Sequence, residues 1–302
     1  MADQTRLNLS AGLLSVTVAF VLVVAKLWAL GSTGALSVAA SLADSAMDLM
    51  VSLAGLAAIA YAAKPADEDH AFGHTSAEDL AALGQSLFIL VSAAVIGWAA
   101  VGRLLQPVPN VLMAEGRGII VMVFSIALTL ALVLWQRRVA AQTGSRVVKA
   151  DSLHYMGDLV PNVGAILALW ASAHFGIGQI DSVVALGAAL LLAFGAFRIG
   201  KGAWDALMDR RADPAMIEGI GRIAGGWPGV HGFHDLKTRT AGSRVFVNLH
   251  IELDGAQSLH DAHAIGAALR RAILQAYPQA DVIIHKDPVG DAPHPDDRTK
   301  AR

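Results

Sequence analysis

Six apolar segments, each long enough to cross a lipid bilayer, constrain the fold of this 302-residue chain more than any other feature. A spanning helix needs about 20 mostly apolar residues to cross roughly 30 Å of hydrocarbon. Hydrophobic residues make up 55% of the chain and charged residues only 16%, against about 25% charged in soluble domains. We therefore predict an α-helical membrane protein with six transmembrane helices over residues 9–30, 36–62, 80–104, 118–135, 147–171 and 183–199.

The pattern changes near residue 212, where a more polar region begins. Residues 245–253 alternate apolar and polar side chains as a half-buried strand does, and residues 258–277 have helical spacing. With strands through His234 and His285, this predicts a small α+β domain in the order α-β-β-α-β. The predicted organisation is a transmembrane domain over 1–211, a cytoplasmic domain over 212–290 and a disordered tail over 291–302.

Lysine and arginine predict the orientation, because cytoplasmic loops carry the excess of these residues. With the N-terminus inside, the outer side has only Arg103 and Arg117, and the inner side has Arg6, Lys64, Arg137, Arg138, Arg146, Lys149, Arg198, Lys201, Arg210 and Arg211. Both termini are therefore predicted to be cytoplasmic. Lys26 lies within the first span near its outer end, from where it can extend toward the membrane surface.

Net charge and cysteine content exclude several classes of function. The net charge of −2 gives a nucleic-acid partner no electrostatic support. The chain has no cysteine, so disulfides, thiolate zinc sites and cysteine nucleophiles are excluded. Any metal site must therefore consist of carboxylate, imidazole or carbonyl groups.

Ionisable residues within the second and fifth predicted spans indicate a functional site. Asp44 and Asp48 are four residues apart, as are His154 and Asp158, so each pair shares one helix face. Asp48 lies about 18 Å below the outer end of its span, and Asp158 about 16 Å above the inner end of its own. The four side chains therefore meet near the membrane midplane. Three carboxylates and one imidazole suit a tetrahedral ion such as Zn²⁺; neutral, helix-packed acids are the alternative.

Two further groups of candidate metal ligands lie outside the predicted spans. Asp67, His70 and His74 are spaced i, i+3 and i, i+4 after the second span, although a solvated acidic loop explains them equally well. Six of the eleven histidines fall between positions 231 and 285. Among them, His285 shares a strand face with Asp287. Scattered surface histidines explain any one of the six more easily than the whole group.

These motifs resemble the cation diffusion facilitators, and most closely their bacterial zinc and iron efflux members. The resemblance covers roughly residues 7–288 and rests on LADSAMD in the second span, KPADEDHAFGH in the following loop, DSLHYMGD in the fifth span, and HDLKTR and DVIIHKDP in the C-terminal region. It implies a homodimer in the bacterial inner membrane. It also implies export of a divalent cation in exchange for protons, with Zn²⁺ as the first candidate and Cd²⁺ and Fe²⁺ as alternatives.

The resemblance also implies three metal sites. The transport site comprises Asp44, Asp48, His154 and Asp158, and the loop site comprises Asp67, His70 and His74. A metallochaperone-like cytoplasmic domain has a binuclear site, which helps to hold the dimer, with the ligands His234, His250, His263, His285 and Asp287. One departure concerns a lysine that close bacterial relatives often carry just after the loop histidines, paired with an aspartate at the end of the sixth span. Here Ser76 takes that position while Asp209 remains, which argues against that charge pair.

The sequence thus predicts a metal/proton antiporter and not an enzyme. Metal ligands must be deprotonated, so protons compete with the cation for the site, and alternating access around a midplane site is a common transport mechanism. A metal-gated channel and an intramembrane metallohydrolase are the alternatives. The hydrolase needs an open zinc position to activate water, and the chain has no HExxH or GxSxG motif.

Overall fold

The computed structural model describes residues 2–33, 36–105, 116–159 and 180–290. The chain separates into two compact units, residues 2–204 and the residues from 205 onward. In the first unit lie α1 (Ala2–Thr33), α2 (Leu36–Ala62), α3 (Ser76–Leu105), α4 (Gly116–Thr143), α5 (described over 146–159) and most of α6 (Ile180–Leu207). The second unit contains α7 (Pro214–Gly225), β1 (Gly232–Ala241), β2 (Arg244–Leu253), α8 (Leu259–Ala276) and β3 (Ala280–Pro288).

The first unit is a bundle of apolar helices. Within the described residues, five stretches are long and apolar enough to cross a membrane: Gln4–Trp28, Ser45–Ala62, Ser76–Gly102, Val123–Thr143 and Leu186–Leu207. Large apolar side chains such as Trp98 and Phe194 are exposed on the bundle, as expected of a surface that faces lipid. The prediction of a helical membrane domain is confirmed. The predicted span 147–171 is described only as far as residue 159.

Small residues allow the helices around the predicted site to approach closely, as is usual in membrane bundles. A Cβ atom at Gly12 would lie 3.1 Å from Leu56 Cδ1, so even alanine there would require the Leu56 side chain of α2 to shift. Val147 on α5 and Ile59 on α2 are buried in the same apolar cluster as Val139 on α4. This packing fixes α2 and α5 beside each other.

The second unit has the predicted α-β-β-α-β order and a three-stranded sheet. β1 and β2 pair antiparallel, whereas β2 and β3 pair parallel and are connected through α8. The alternation in β2 buries Val247, Leu249 and Ile251 in a core shared with Ile220 of α7 and Leu269 of α8. The opposite face of the sheet carries the polar residues of the strands. The predicted tail, residues 291–302, lies outside the described residues.

Candidate metal-binding sites

Two helices bring three predicted ligands together inside the bundle. Asp48 of α2 and His154 and Asp158 of α5 each offer a ligand atom, and these atoms lie within 4.8 Å of one another. His154 Nε2 is 3.1 Å from Asp48 Oδ1. Asp48 is 7% exposed and His154 9% exposed. These three residues, called the transmembrane group below, are close enough for one ion to contact all of them.

The fourth predicted ligand of the transmembrane site, Asp44, lies one turn before Asp48 within helix α2. Its side chain lies outside the described residues. The participation of Asp44 in the site therefore stays a prediction, whereas the positions of Asp48, His154 and Asp158 follow from the structure.

A buried cluster of hydroxyls lies next to the transmembrane group. Ser52, one turn after Asp48, is 2.8 Å from the hydroxyl of Tyr155, the neighbour of His154. Ser15 of α1 donates to Ser52 at 2.9 Å. The cluster therefore ties α1, α2 and α5 together beside the ligands.

Lys26 contacts the helix that carries the acids, which the sequence did not predict. Its Nζ donates to Ser45 Oγ at 2.6 Å, and Ser45 is a buried residue of α2. Ser45 follows Asp44 directly and precedes Asp48 by three residues, so the ammonium lies within about one turn of the transmembrane group. The only signal in the sequence was a lysine within an otherwise apolar span.

The loop between α2 and α3 holds a second group of ligands, the loop group. His74 Nε2 lies 3.2 Å from Asp67 Oδ2, and His70 Nδ1 lies 3.3 Å from Asp67 Oδ1. The His70 backbone N–H donates to Asp67 Oδ1 at 2.7 Å, and this hydrogen bond is the main cause of the lowered pKa of Asp67. Asp67 and His70 are exposed, whereas His74 is buried. The structure thus brings the three predicted residues together.

A third group lies on the polar face of the C-terminal sheet. The register pairs His234 with His250 and His250 with His285, so one histidine from each strand lies in a row. Asp287 Oδ2 is 2.9 Å from His250 Nδ1 and 3.5 Å from His234 Nε2, and these three residues form the sheet group. The other oxygen, Asp287 Oδ1, is 3.1 Å from His285 Nε2. Asp287 therefore bridges the outer strands.

Two residues modify the predicted set of C-terminal ligands. Glu252, which was not predicted, pairs in register with Asp287 and places Oε1 3.1 Å from His234 Nδ1. The signal was present, because the alternation of β2 places Glu252 on the same face as His250. His263 lies exposed on α8 and is not among the described residues that form the sheet group.

Asp209, considered above as a partner for the position of Ser76, pairs elsewhere. Its Oδ1 is 3.3 Å from Arg239 Nη1 of β1, and its backbone has a positive φ of 56°. Asp209 thus contributes to a contact within the second unit.

Comparison with known proteins shows the family to which this chain belongs. Residues 12–208 match the family model described as the cation efflux transmembrane domain, and residues 212–289 match the one described as the cation efflux protein, cytoplasmic domain. The cation-efflux pump FieF of Cronobacter sakazakii is 40% identical over 291 residues, covering 96% of each chain. FieF of Pectobacterium atrosepticum is 41% identical over 288 residues, covering 95% of each. Among solved structures, the metal-bound C-terminal domain of the CzcD transporter from Thermotoga maritima is 31% identical, covering 26% of this chain and 93% of that chain with a TM-score of 0.26.

Proposed function

Because the chain belongs to the cation efflux family, we propose that it exports a divalent metal ion by exchange for protons, with the transmembrane group as its transport site. The observation that carries this proposal is the convergence of Asp48, His154 and Asp158 from two helices within the bundle. The relatives are named as cation-efflux pumps, which sets aside the metallohydrolase alternative. The chain is therefore a transporter and not an enzyme.

The ligand types favour a borderline transition metal as cargo. An imidazole suits Zn²⁺ and Fe²⁺, whereas Mg²⁺ and Ca²⁺ prefer sites made of oxygen alone. With Asp44 as the fourth ligand, the group would provide three carboxylates and one imidazole, which is a ligand set for tetrahedral Zn²⁺. Zn²⁺ is thus the first candidate cargo, and Cd²⁺ and Fe²⁺ are the alternatives.

Electrostatics couples the cation to protons. Asp48 and Asp158 lie with His154 in a poorly solvated bundle, where carboxylates without a cation are costly. When the metal leaves, protons bind in its place, and the next metal ion must displace them. Alternating exposure of this group to the two sides of the membrane then gives antiport.

The C-terminal unit is proposed to bind Zn²⁺ for structure and regulation in a homodimer. The sheet group and His285 offer at least four ligand side chains on one open face. His263 is exposed on α8 and is proposed to ligate from a second copy, so that metal binding links two chains. We further propose that both termini lie in the cytoplasm and that the bundle lies in the bacterial inner membrane, in contact with lipid and with no nucleic-acid partner.

The test is metal uptake into proteoliposomes under an imposed pH gradient, with Zn²⁺, Cd²⁺ and Fe²⁺ in competition. We expect saturable uptake that requires the gradient and falls to the level of empty vesicles in Asp48→Ala and Asp158→Ala. Ser92→Ala is the control, because Ser92 is a polar residue of α3 whose hydroxyl donates to the Phe88 carbonyl of its own helix. Undiminished flux in the folded Asp158→Ala variant would overturn the proposed site, and flux that ignores the pH gradient would indicate a channel.

A further inference from the structure

We infer that Asp151 and Gln136 form a proton-binding pair separate from the metal ligands, and that Asp151 releases its proton when the transport site takes up its cation. This inference rests on the proposed function and assigns one of the exchanged protons to a residue outside the transmembrane group. Gln136 belongs to α4 and Asp151 to α5. The contact therefore joins the helix that carries His154 to a helix that carries no predicted ligand.

The geometry of the pair lacks one hydrogen-bond donor. Gln136 Nε2 donates to Asp151 Oδ2 at 2.6 Å. Gln136 is 0% exposed and Asp151 5% exposed, yet Gln136 Oε1 and Asp151 Oδ1 have no hydrogen-bond partner among the described residues. Both atoms are acceptors when the carboxyl group is ionised. A proton on Asp151 Oδ1 supplies the missing donor, as in the pairing of a carboxylic acid with an amide.

Asp151 is also buried without a paired Lys or Arg among the described residues. In the described part of the chain no Lys or Arg forms an ion pair with Asp151, and an ionised carboxylate buried without a counter-charge is costly. The titratable groups that face it are Asp48 of α2 and His154 and Tyr155 of α5. From α4 it meets Gln136, and from α1 the hydroxyl of Ser15, which approaches Asp151 but donates its proton to Ser52 at 2.9 Å. No hydrogen bond or ion pair among the described residues joins Asp151 to the transmembrane group.

A small cavity beside the pair can hold a water molecule that accepts the proton. Asp151 and Gln136 line it together with Ser52, Gly55 and Val147, and its space accommodates roughly one water molecule. Ser52 is also part of the hydroxyl cluster beside Asp48. A water in this cavity can therefore accept the proton from Asp151 Oδ1.

The position of Asp151 explains why cation binding would release this proton. Asp151 precedes His154 by three residues, so the two side chains are neighbours on α5, with Cβ atoms about 5–6 Å apart. A dication bound by His154 stabilises a nearby carboxylate by Coulomb attraction. The carboxylic acid then becomes a carboxylate and its proton passes to water; loss of the cation reverses the step. Asp151 thus carries a proton without touching the metal.

The experiment counts the protons released when Zn²⁺ binds to the full-length protein in lipid nanodiscs, in weak buffer with a pH indicator, while calorimetry measures zinc affinity. Asp151→Asn keeps the shape and hydrogen bonds of the protonated acid but has no proton to lose. We expect it to bind zinc and to release about one proton per protomer fewer than the unmodified chain. Asp151→Glu keeps an acid and should restore the release. Protons from the loop and sheet groups are common to all variants and cancel in the comparison.

A second variant keeps the test decisive if Asp151→Asn does not fold. Gln136→Leu removes the amide N–H that donates to Asp151 Oδ2. Loss of this donor costs the charged carboxylate more than the neutral acid, so Asp151 should hold its proton and release should again fall by about one per protomer. Equal release in the unmodified chain and in either folded variant would overturn the inference. Asp158→Ala separates the two proposals. If Asp158→Ala leaves zinc affinity intact, the proposed transport site is wrong. If only Asp151→Asn is tested and its proton release is unchanged, the proton-binding pair alone is refuted.

Discussion

At the scale of single residues, His154 is the ligand that should set which metal is transported. Its imidazole is the only nitrogen ligand among the proposed transport-site residues, next to Asp48 Oδ1. We predict that His154→Asp, which leaves an all-carboxylate site, shifts preference from Zn²⁺ toward the harder Mn²⁺ by roughly tenfold or more. Competitive uptake of the two ions into proteoliposomes measures the ratio. An unchanged ratio in an active variant would contradict the assignment of His154 as a ligand.

Lys26 places a fixed positive charge near the same ligands. Its ammonium donates to Ser45, one residue after Asp44, and a cation within about 10 Å of the site repels an incoming dication at the effective dielectric of proteins. We predict that Lys26→Met raises the affinity of the transport site for Zn²⁺ by roughly tenfold at neutral pH. Calorimetry on the full-length protein measures the change.

The matched control for Lys26→Met is Lys201→Met. Lys201 lies near the end of α6, and not on α1 or α2, the two helices that Lys26 joins. We expect no change in zinc affinity there. Equal affinity in the unmodified chain and Lys26→Met would show that the ammonium does not act on the site.

At the scale of helices and strands, periodicity predicted much of the candidate sites. The i, i+4 spacing on α2 and α5 predicted which ligands share a helix face, and their depths in the two spans predicted that Asp48 and Asp158 would meet. The alternation of β2 predicted the face that carries His250. Spacing within one element cannot show how neighbouring elements are rotated. For this reason the contact of Lys26 with α2, and that of Gln136 with Asp151, became apparent only in the structure. Glu252 lay on the predicted face, but its contact with His234 depends on strand pairing.

Glu252 should therefore support metal binding on the sheet through its histidine. Its carboxylate lies 3.1 Å from His234 Nδ1, and such a contact orients the ring so that the other nitrogen faces the metal. We predict that Glu252→Gln weakens zinc binding to the C-terminal unit by about 10–100-fold, less than loss of the bridging Asp287. Zinc-dependent thermal stabilisation of the full-length protein, reversed by a chelator, provides the measurement.

Asp281 provides the control for Glu252, because it lies on the same face of β3 and pairs in register with Phe246, away from the histidines. Asp281→Asn should leave the zinc-dependent stabilisation unchanged. If Asp281→Asn and Glu252→Gln lose stabilisation equally, the effect reflects the charge of the face and not the orientation of His234.

At the scale of the whole molecule, one chain carries candidate metal ligands in two separate compact units, and we predict that metal controls assembly as well as being the cargo. The sheet group lies on an open face, while His263 is exposed on α8 outside that group. If His263 of a second copy completes the site, metal binding must favour the dimer by mass action. We predict that Zn²⁺ lowers the protein density needed for half-dimerisation in lipid vesicles by at least about tenfold, and that a chelator reverses this. Energy transfer between labelled copies across a lipid dilution series measures it. His263→Ala should abolish the effect of zinc on dimerisation and leave metal-free dimerisation unchanged. His260→Ala, on the same exposed turn, is the control and should retain the zinc effect. If the chelator changes dimerisation at no protein density, the proposed link between metal and assembly is refuted.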